Sequence, residues 1–253
     1  MLIFHRNNVL RAPVTGIRCD KWLNIILLLT LVFTFSFKTP SEKQVYSLLS
    51  NNKILVDGML DDWDSQGLIR LKGEKAKSEN QVGFMSRWDK NMLYLSFSVS
   101  DNDLRAFQTR QDDSRLYLDD MVEVLLDTNN DKDSCWNSDD IIYHINLLGV
   151  KKDDRGTTGC LSDPAWNGSA KYKVKLQGTL NDSTDVDYGY SVEIGILWTE
   201  LGIVPRKGMK LGINFANGDN DGKGRQLFDW VNAWPMRSPY AFGTLILKGE
   251  IRK

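Results

Sequence analysis

From Lys53 onward, apolar residues in this chain recur at every second position, and no long run follows helical spacing. Leu93, Leu95, Phe97 and Val99 alternate with Tyr94, Ser96 and Ser98. Val122, Val124 and Leu126 alternate with Glu123 and Leu125, and Tyr143, Ile145 and Leu147 alternate with His144 and Asn146. Successive side chains of a strand point to opposite faces, so each segment buries one face and wets the other. Further strand segments lie at 172–176, 190–194, 211–215 and 242–247, and the loops at 127–140, 151–169 and 216–229 are rich in Asp, Asn and Gly. Only Trp198-Thr199-Glu200-Leu201-Gly202 reads as a helical turn, closed by its glycine. Many short strands at this spacing predict an all-β chain folded as a two-sheet antiparallel β-sandwich, one domain over residues 53–250.

The amino-terminal region has a different character. His5, Arg6, Arg11, Arg18 and Lys21 precede an apolar run from Trp22 to Phe37. A basic head before such a run predicts that residues 1–38 are a signal peptide or an amino-terminal membrane anchor, with 39–52 a polar linker. Positive charge stays on the cytoplasmic side, so the body is expected to be exported: secreted, periplasmic or held at the cell surface. Membrane contact is expected only through this apolar segment. Cys19 precedes the run, which leaves Cys135 and Cys160 as one pair in the exported body. In an oxidising compartment they can close a disulfide worth about 3 kcal/mol; two buried free thiols are the alternative. The net charge of -1 and the lack of a basic stripe argue against nucleic acid as a partner.

Two polar patterns carry chemistry. Glu123, His144 and Asn146 point to one face if their strands are neighbours. After the first of these strands, Asp127, Asn129, Asp131 and Asp133 place oxygens at alternate positions, as calcium loops do. The stretch is not an EF-hand, because Lys132 stands where the turn glycine belongs and Ser138 replaces the bidentate glutamate. Asp101 and Asp103, or Asp219, Asn220 and Asp221, are further oxygen donors that could join across space. Zinc is a poor fit, since His5 and His144 are the only imidazoles. Calcium, in a structural role, is the expected cofactor. Catalysis is not expected. There is no Gly-x-Ser-x-Gly elbow and no phosphate-cradling glycine loop, and Glu123 with Glu193 is merely a pair on paper for glycoside hydrolysis.

A run of short motifs extends this reading. Ile54-Leu55-Val56-Asp57-Gly58-Met59-Leu60-Asp61-Asp62-Trp63, Trp88-Asp89, Asp101-Asn102-Asp103 and Asp120-Met121-Val122-Glu123 occur in that order. Tyr143-His144-Ile145-Asn146, Tyr190-Ser191-Val192-Glu193 before Trp198, and Ser238-Pro239-Tyr240-Ala241-Phe242-Gly243-Thr244-Leu245 follow. In this order the chain resembles carbohydrate-binding module family 9 over roughly 53–248. The resemblance implies a non-catalytic sandwich that binds an oligosaccharide or polysaccharide, often at a chain end, and carries structural calcium. It places an aromatic clamp on Tyr117 and Trp234, and polar sugar contacts on Glu123, His144, Asn146 and Asn232. Two departures stand out: Tyr117 replaces a tryptophan, and His144 replaces an arginine, removing a fixed fork of donors. Two other readings stay open. One is a structural or adhesion module that keeps the fold without the sugar site. The other is a haem-binding module using His144 with Met121, Met85, Met209 or Met236.

Overall fold

The structure is a computed structural model that describes residues 42–72, 80–222, 224–232 and 235–249. The apolar segment Trp22–Phe37, His5, Cys19 and Trp234 lie outside the described residues.

Among the described residues thirteen strands follow one another: β1 (Gln44–Leu49), β2 (Ile69–Lys72), β3 (Gln81–Trp88), β4 (Met92–Ser100), β5 (Met121–Asp127), β6 (Asp140–Asn146) and β7 (Lys151–Gly156). They continue with β8 (Ser162–Asp163), β9 (Lys171–Gln177), β10 (Gly189–Leu197), β11 (Lys210–Asp219), β12 (Gln226–Asp229) and β13 (Gly243–Lys248). They form one hydrogen-bonded ladder in the order β8-β7-β6-β5-β11-β13-β1-β3-β4-β10-β9, with β12 added beside β11 and β2 beside β3. The expected all-β architecture is present, with two differences from a purely antiparallel two-sheet sandwich. The ladder is continuous, and β1 runs parallel to both its neighbours, β13 and β3.

The ladder curls into two facing halves around β1. Phe84 on β3 and Phe215 on β11 are three strand steps apart, about 14 Å along a flat sheet. Their rings nevertheless stack with centroids 3.8 Å apart, and Trp230 stacks on Phe215 at 4.8 Å. Val122, Val124, Leu126, Tyr143 and Ile145 from one half meet Phe97, Val99, Val192 and Ile194 from the other in the same core. The alternation in the sequence therefore sends Glu123 and His144 to the outer face of the first half and Glu193 to the outer face of the second.

Residues 44–49 correct the linker expected over 39–52. They form the strand that joins the halves, with Val45 and Ser47 facing inward. The inward Ser47 disguised the pattern; its hydroxyl accepts a hydrogen bond from Ser86 Oγ at 2.8 Å, which satisfies it in the interior. Cys135 and Cys160 are bonded, with Cα atoms 5.1 Å apart, tying the loop after β5 to the turn after β7.

Candidate functional site

On the outer face of the first half, strand register sorts side chains into rows that cross the strands. One row runs Lys152–His144–Glu123–Ala216–Asp229 across β7, β6, β5, β11 and β12. The next runs Asp154–Ile142–Leu125–Asn214. Trp136 and Phe242 pack on its Ile142 and Leu125, with Met236 beside them. The third contains Asp140, Asp127 and Gly212. Loops 128–139 and 235–242 thus roof the middle row and leave polar rows on either side.

Glu123 is the centre of the first row. It is 2% exposed, and Arg225 Nη2 donates to its Oε1 at 2.5 Å. His144, directly opposite in the ladder, holds Nδ1 3.7 Å from Glu123 Oε2. That gap is too long for a hydrogen bond, and Nδ1 is buried with no hydrogen-bond partner. Burial pushes the Glu123 carboxyl up, but neighbouring His144, Arg225 and Arg237 outweigh it, and the net shift is down. Arg237 pairs with Asp154 and lies over the Trp136 ring at 5.6 Å, while Lys152 Nζ reaches Asp154 at 3.0 Å. At the rim, the Tyr117 ring is 47% exposed, with the Arg225 guanidinium 5.7 Å from its centroid.

The structure therefore brings Tyr117, Glu123 and His144 together. Asn146 is a correction. Its amide nitrogen donates to Gln108 O and Asp119 Oδ2, both at 2.8 Å, and its oxygen accepts Val150 N at 2.8 Å. Both amide donors are spent pinning loops, so it offers no free N–H to a ligand. Asn232 is exposed in the loop after Trp230, with φ of +57°. Sequence reasoning missed Arg225 and Arg237. Both sit in loops distant in sequence from Glu123, where no spacing signals a contact.

The acidic cluster is also redrawn. Carboxylate oxygens of Asp127, Asp131 and Asp139 lie within 4.8 Å of one another. Asp133 is exposed and outside this carboxylate group, accepting instead from Asn137 at 3.1 Å, while the exposed Asn129 donates its backbone N–H to Asp139 at 3.4 Å. Asp139 takes their place because the β5–β6 loop folds back to bring it beside the end of β5. Burial and mutual repulsion raise the carboxyls of Asp127 and Asp139, and lift Asp140 to about 7. A second group, Asp101, Asp219 and Asp221, meets the same distance criterion. Burial raises Asp101 to about 6 and neighbouring Asp120 to about 8. Converging carboxylates of this kind, anchored on the buried Asp127, Asp101 and Asp219, suit a hard, oxygen-seeking cation.

Glu193 cannot act with Glu123 across a cleft, because the core lies between the faces that carry them. Its carboxylate accepts Asp57 N at 2.9 Å, Gly58 N at 2.7 Å and Trp63 Nε1 at 2.7 Å. The Asp57-Gly58 and Trp63 motif is therefore a clasp on the second half, remote from the Glu123 row.

A family model described as carbohydrate family 9 binding domain-like matches residues 57–250. Exoglucanase XynX of Acetivibrio thermocellus is 26% identical over 202 residues, covering 78% of this chain and 16% of that protein. Endo-1,4-beta-xylanase A of Thermotoga maritima is 28% identical over 203 residues, covering 76% and 17%. The chain thus spans about one-sixth of the length of these curated relatives. Among solved structures, a carbohydrate binding module family 9 from Caldicellulosiruptor kristjanssonii in complex with cellotriose aligns with a TM-score of 0.64 and 25% identity. That alignment covers 83% of this chain and 95% of the other.

Proposed function

This chain belongs to the carbohydrate family 9 binding domain-like family, and on that premise we propose that it is a non-catalytic glycan-binding module whose sugar lies against Glu123, His144 and Tyr117. The observation that carries this reading is the convergence of Glu123, its partner Arg225 and His144 on one outer row beside the exposed Tyr117 ring. Sugar hydroxyls lying against this row meet a carboxylate acceptor and guanidinium and imidazole N–H donors. The exposed Tyr117 ring offers a flat apolar face to the C–H side of a pyranose. Trp234 is the proposed second platform, with Asn232 beside it. The ligand class is a β-linked gluco- or xylo-oligosaccharide, in keeping with the cellotriose held by the similar module and with the xylanase and exoglucanase relatives.

Binding through one ring face and a few hydroxyl contacts implies affinity of about micromolar order. The test is titration of tryptophan fluorescence with cello- and xylo-oligosaccharides. Saturable change that is lost in Trp234→Ala and Glu123→Gln supports the reading. No binding across a broad glycan array sinks it.

Calcium is proposed as a structural ion at Asp127, Asp131 and Asp139, where it would neutralise converging carboxylates and pin the loop carrying Trp136. Export of the body is proposed from the basic head and apolar run of residues 1–38, and the Cys135–Cys160 bond is in keeping with an oxidising compartment. In that setting the module would hold separate enzymes or a cell surface close to polysaccharide.

A further inference from the structure

The β11–β12 hairpin carries a cation into the glycan site that no motif in the chain announces. Arg225 stands one residue before β12, and its guanidinium reaches back over β11 to Glu123 on β5. The side chain rests directly on that strand, its Nε 3.6 Å from where a Cβ of Gly218 would stand. The hairpin is tied down at the other end of its turn. Asn220 N donates to Asp120 Oδ1 at 2.7 Å, and Asn220 Nδ2 donates to Leu118 O. Leu118 follows Tyr117 in the same short 3-10 turn, Leu116–Leu118. Arg225 and the Tyr117 ring are thus held by one linked pair of loops, with the guanidinium 5.7 Å from the ring centroid.

Exposure rises in order along this stack. The side chain of Glu123 is 3% exposed and that of Arg225 is 26%. Tyr117 is the most open of the three. A molecule approaching Glu123 from solvent therefore meets the guanidinium first. Arg225 has five N–H donors in a planar fork, and the bond to Glu123 accounts for one of them. His144 supplies no such fork from β6.

We propose that Arg225 is a sugar-contacting residue of this site, which fixes Glu123 with one N–H and donates others to adjacent hydroxyl oxygens of a pyranose stacked on Tyr117. The proposal rests on the glycan reading above and adds the source of its fixed positive charge. The site then recognises neutral sugars with two neighbouring hydroxyls free, which the planar fork of a guanidinium matches and the single pivot of an ammonium does not.

The experiment is calorimetric titration with cellobiose and xylobiose of the wild-type protein, Arg225→Ala, Arg225→Lys and the double variant Arg225→Ala/His144→Arg, with thermal melts of each. Expected is a loss of about 10- to 100-fold in Arg225→Ala. Arg225→Lys should recover only part of it. The double variant should regain part of the binding, because it returns a guanidinium to Glu123 from β6 while giving up the His144 imidazole. Wild-type binding with Arg225→Ala equal or tighter would overturn the proposal and leave the glycan reading standing. So would a loss in Arg225→Ala that is matched by a fall in Tm and fully recovered in Arg225→Lys, since the arginine would then serve only the hairpin. Absence of binding by the wild-type protein to either sugar would remove the glycan reading, and this inference with it.

Discussion

Two buried glutamates on opposite faces of the sandwich show how the same residue in the same strand position acquires different work. Glu123 and Glu193 both interrupt apolar strands, and both point away from the core. Glu193 is held by two backbone N–H groups and an indole N–H, all fixed by the chain. Glu123 is held by a side-chain arginine from a remote loop and faces an imidazole nitrogen 3.7 Å away. Burial raises the Glu193 carboxyl, and the three donors only partly offset it. At Glu123 the surrounding side chains overturn the effect of burial. A carboxylate saturated by backbone donors is a clasp. One balanced among side-chain donors beside an exposed ring is suited to a ligand.

The most severe way to test the contrast is Glu193→Ala. It strands three N–H donors, two of them buried, and a loss of about 3 kcal/mol in urea-measured stability is expected. Sugar affinity of the remaining folded protein should not change. A fall in affinity without loss of stability would reverse the assignment.

Metal removal comes next. Calcium in hundredfold excess over its dissociation constant should stabilise the protein by about 2.7 kcal/mol, read as a drop in Tm on chelation. The acid clusters add a pH signature. Asp101, Asp140 and Asp120 are raised from 3.8 to about 6, about 7 and about 8. An acid whose folded value is raised contributes stability that is complete below its unfolded value and is lost as pH rises through the folded one. The metal-free protein should therefore weaken from about pH 4 to about pH 8, and calcium should flatten that fall. A flat profile without metal would count against both clusters.

On the ligand face, Glu123→Gln should cost glycan binding about 10- to 100-fold, whereas Glu193→Ala leaves affinity intact. Glu123 also stabilises the fold above its unfolded pKa, with that share lost as pH falls through the lowered folded value, so the variant should be less acid-sensitive. The smallest effect is expected for Tyr117→Ala, about 1 kcal/mol of binding from one stacked ring. A titration in which Tyr117→Ala outweighs Glu123→Gln would move the centre of the site from the strand row to the rim.

Much of this arrangement was legible before any coordinates. The period-two pattern located β4, β5, β6 and β10, and it put Glu123 and His144 on one face, where they stand directly opposite each other. The same parity placed Asn146 correctly but not its partners, because Asp119 and the Gln108 carbonyl come from a loop that folds over the strand end. Asp139 escaped notice for a similar reason. It is twelve positions after Asp127, far outside the alternation that drew attention to Asn129 and Asp133. β1 was hidden by a serine in a core position.

Alternation is local: pleating forces neighbouring side chains to opposite sides, so the chain's own order decided which groups face the core and which face water. Contacts between remote loops obey no such rule. Only the curled ladder, by setting β11 against β5 and folding β12 over it, decided that Arg225 would meet Glu123 while Glu193 was closed by the Asp57-Gly58 turn and Trp63. The physical reason is that charge pairing depends on distance in space, which strand order creates and residue spacing does not record.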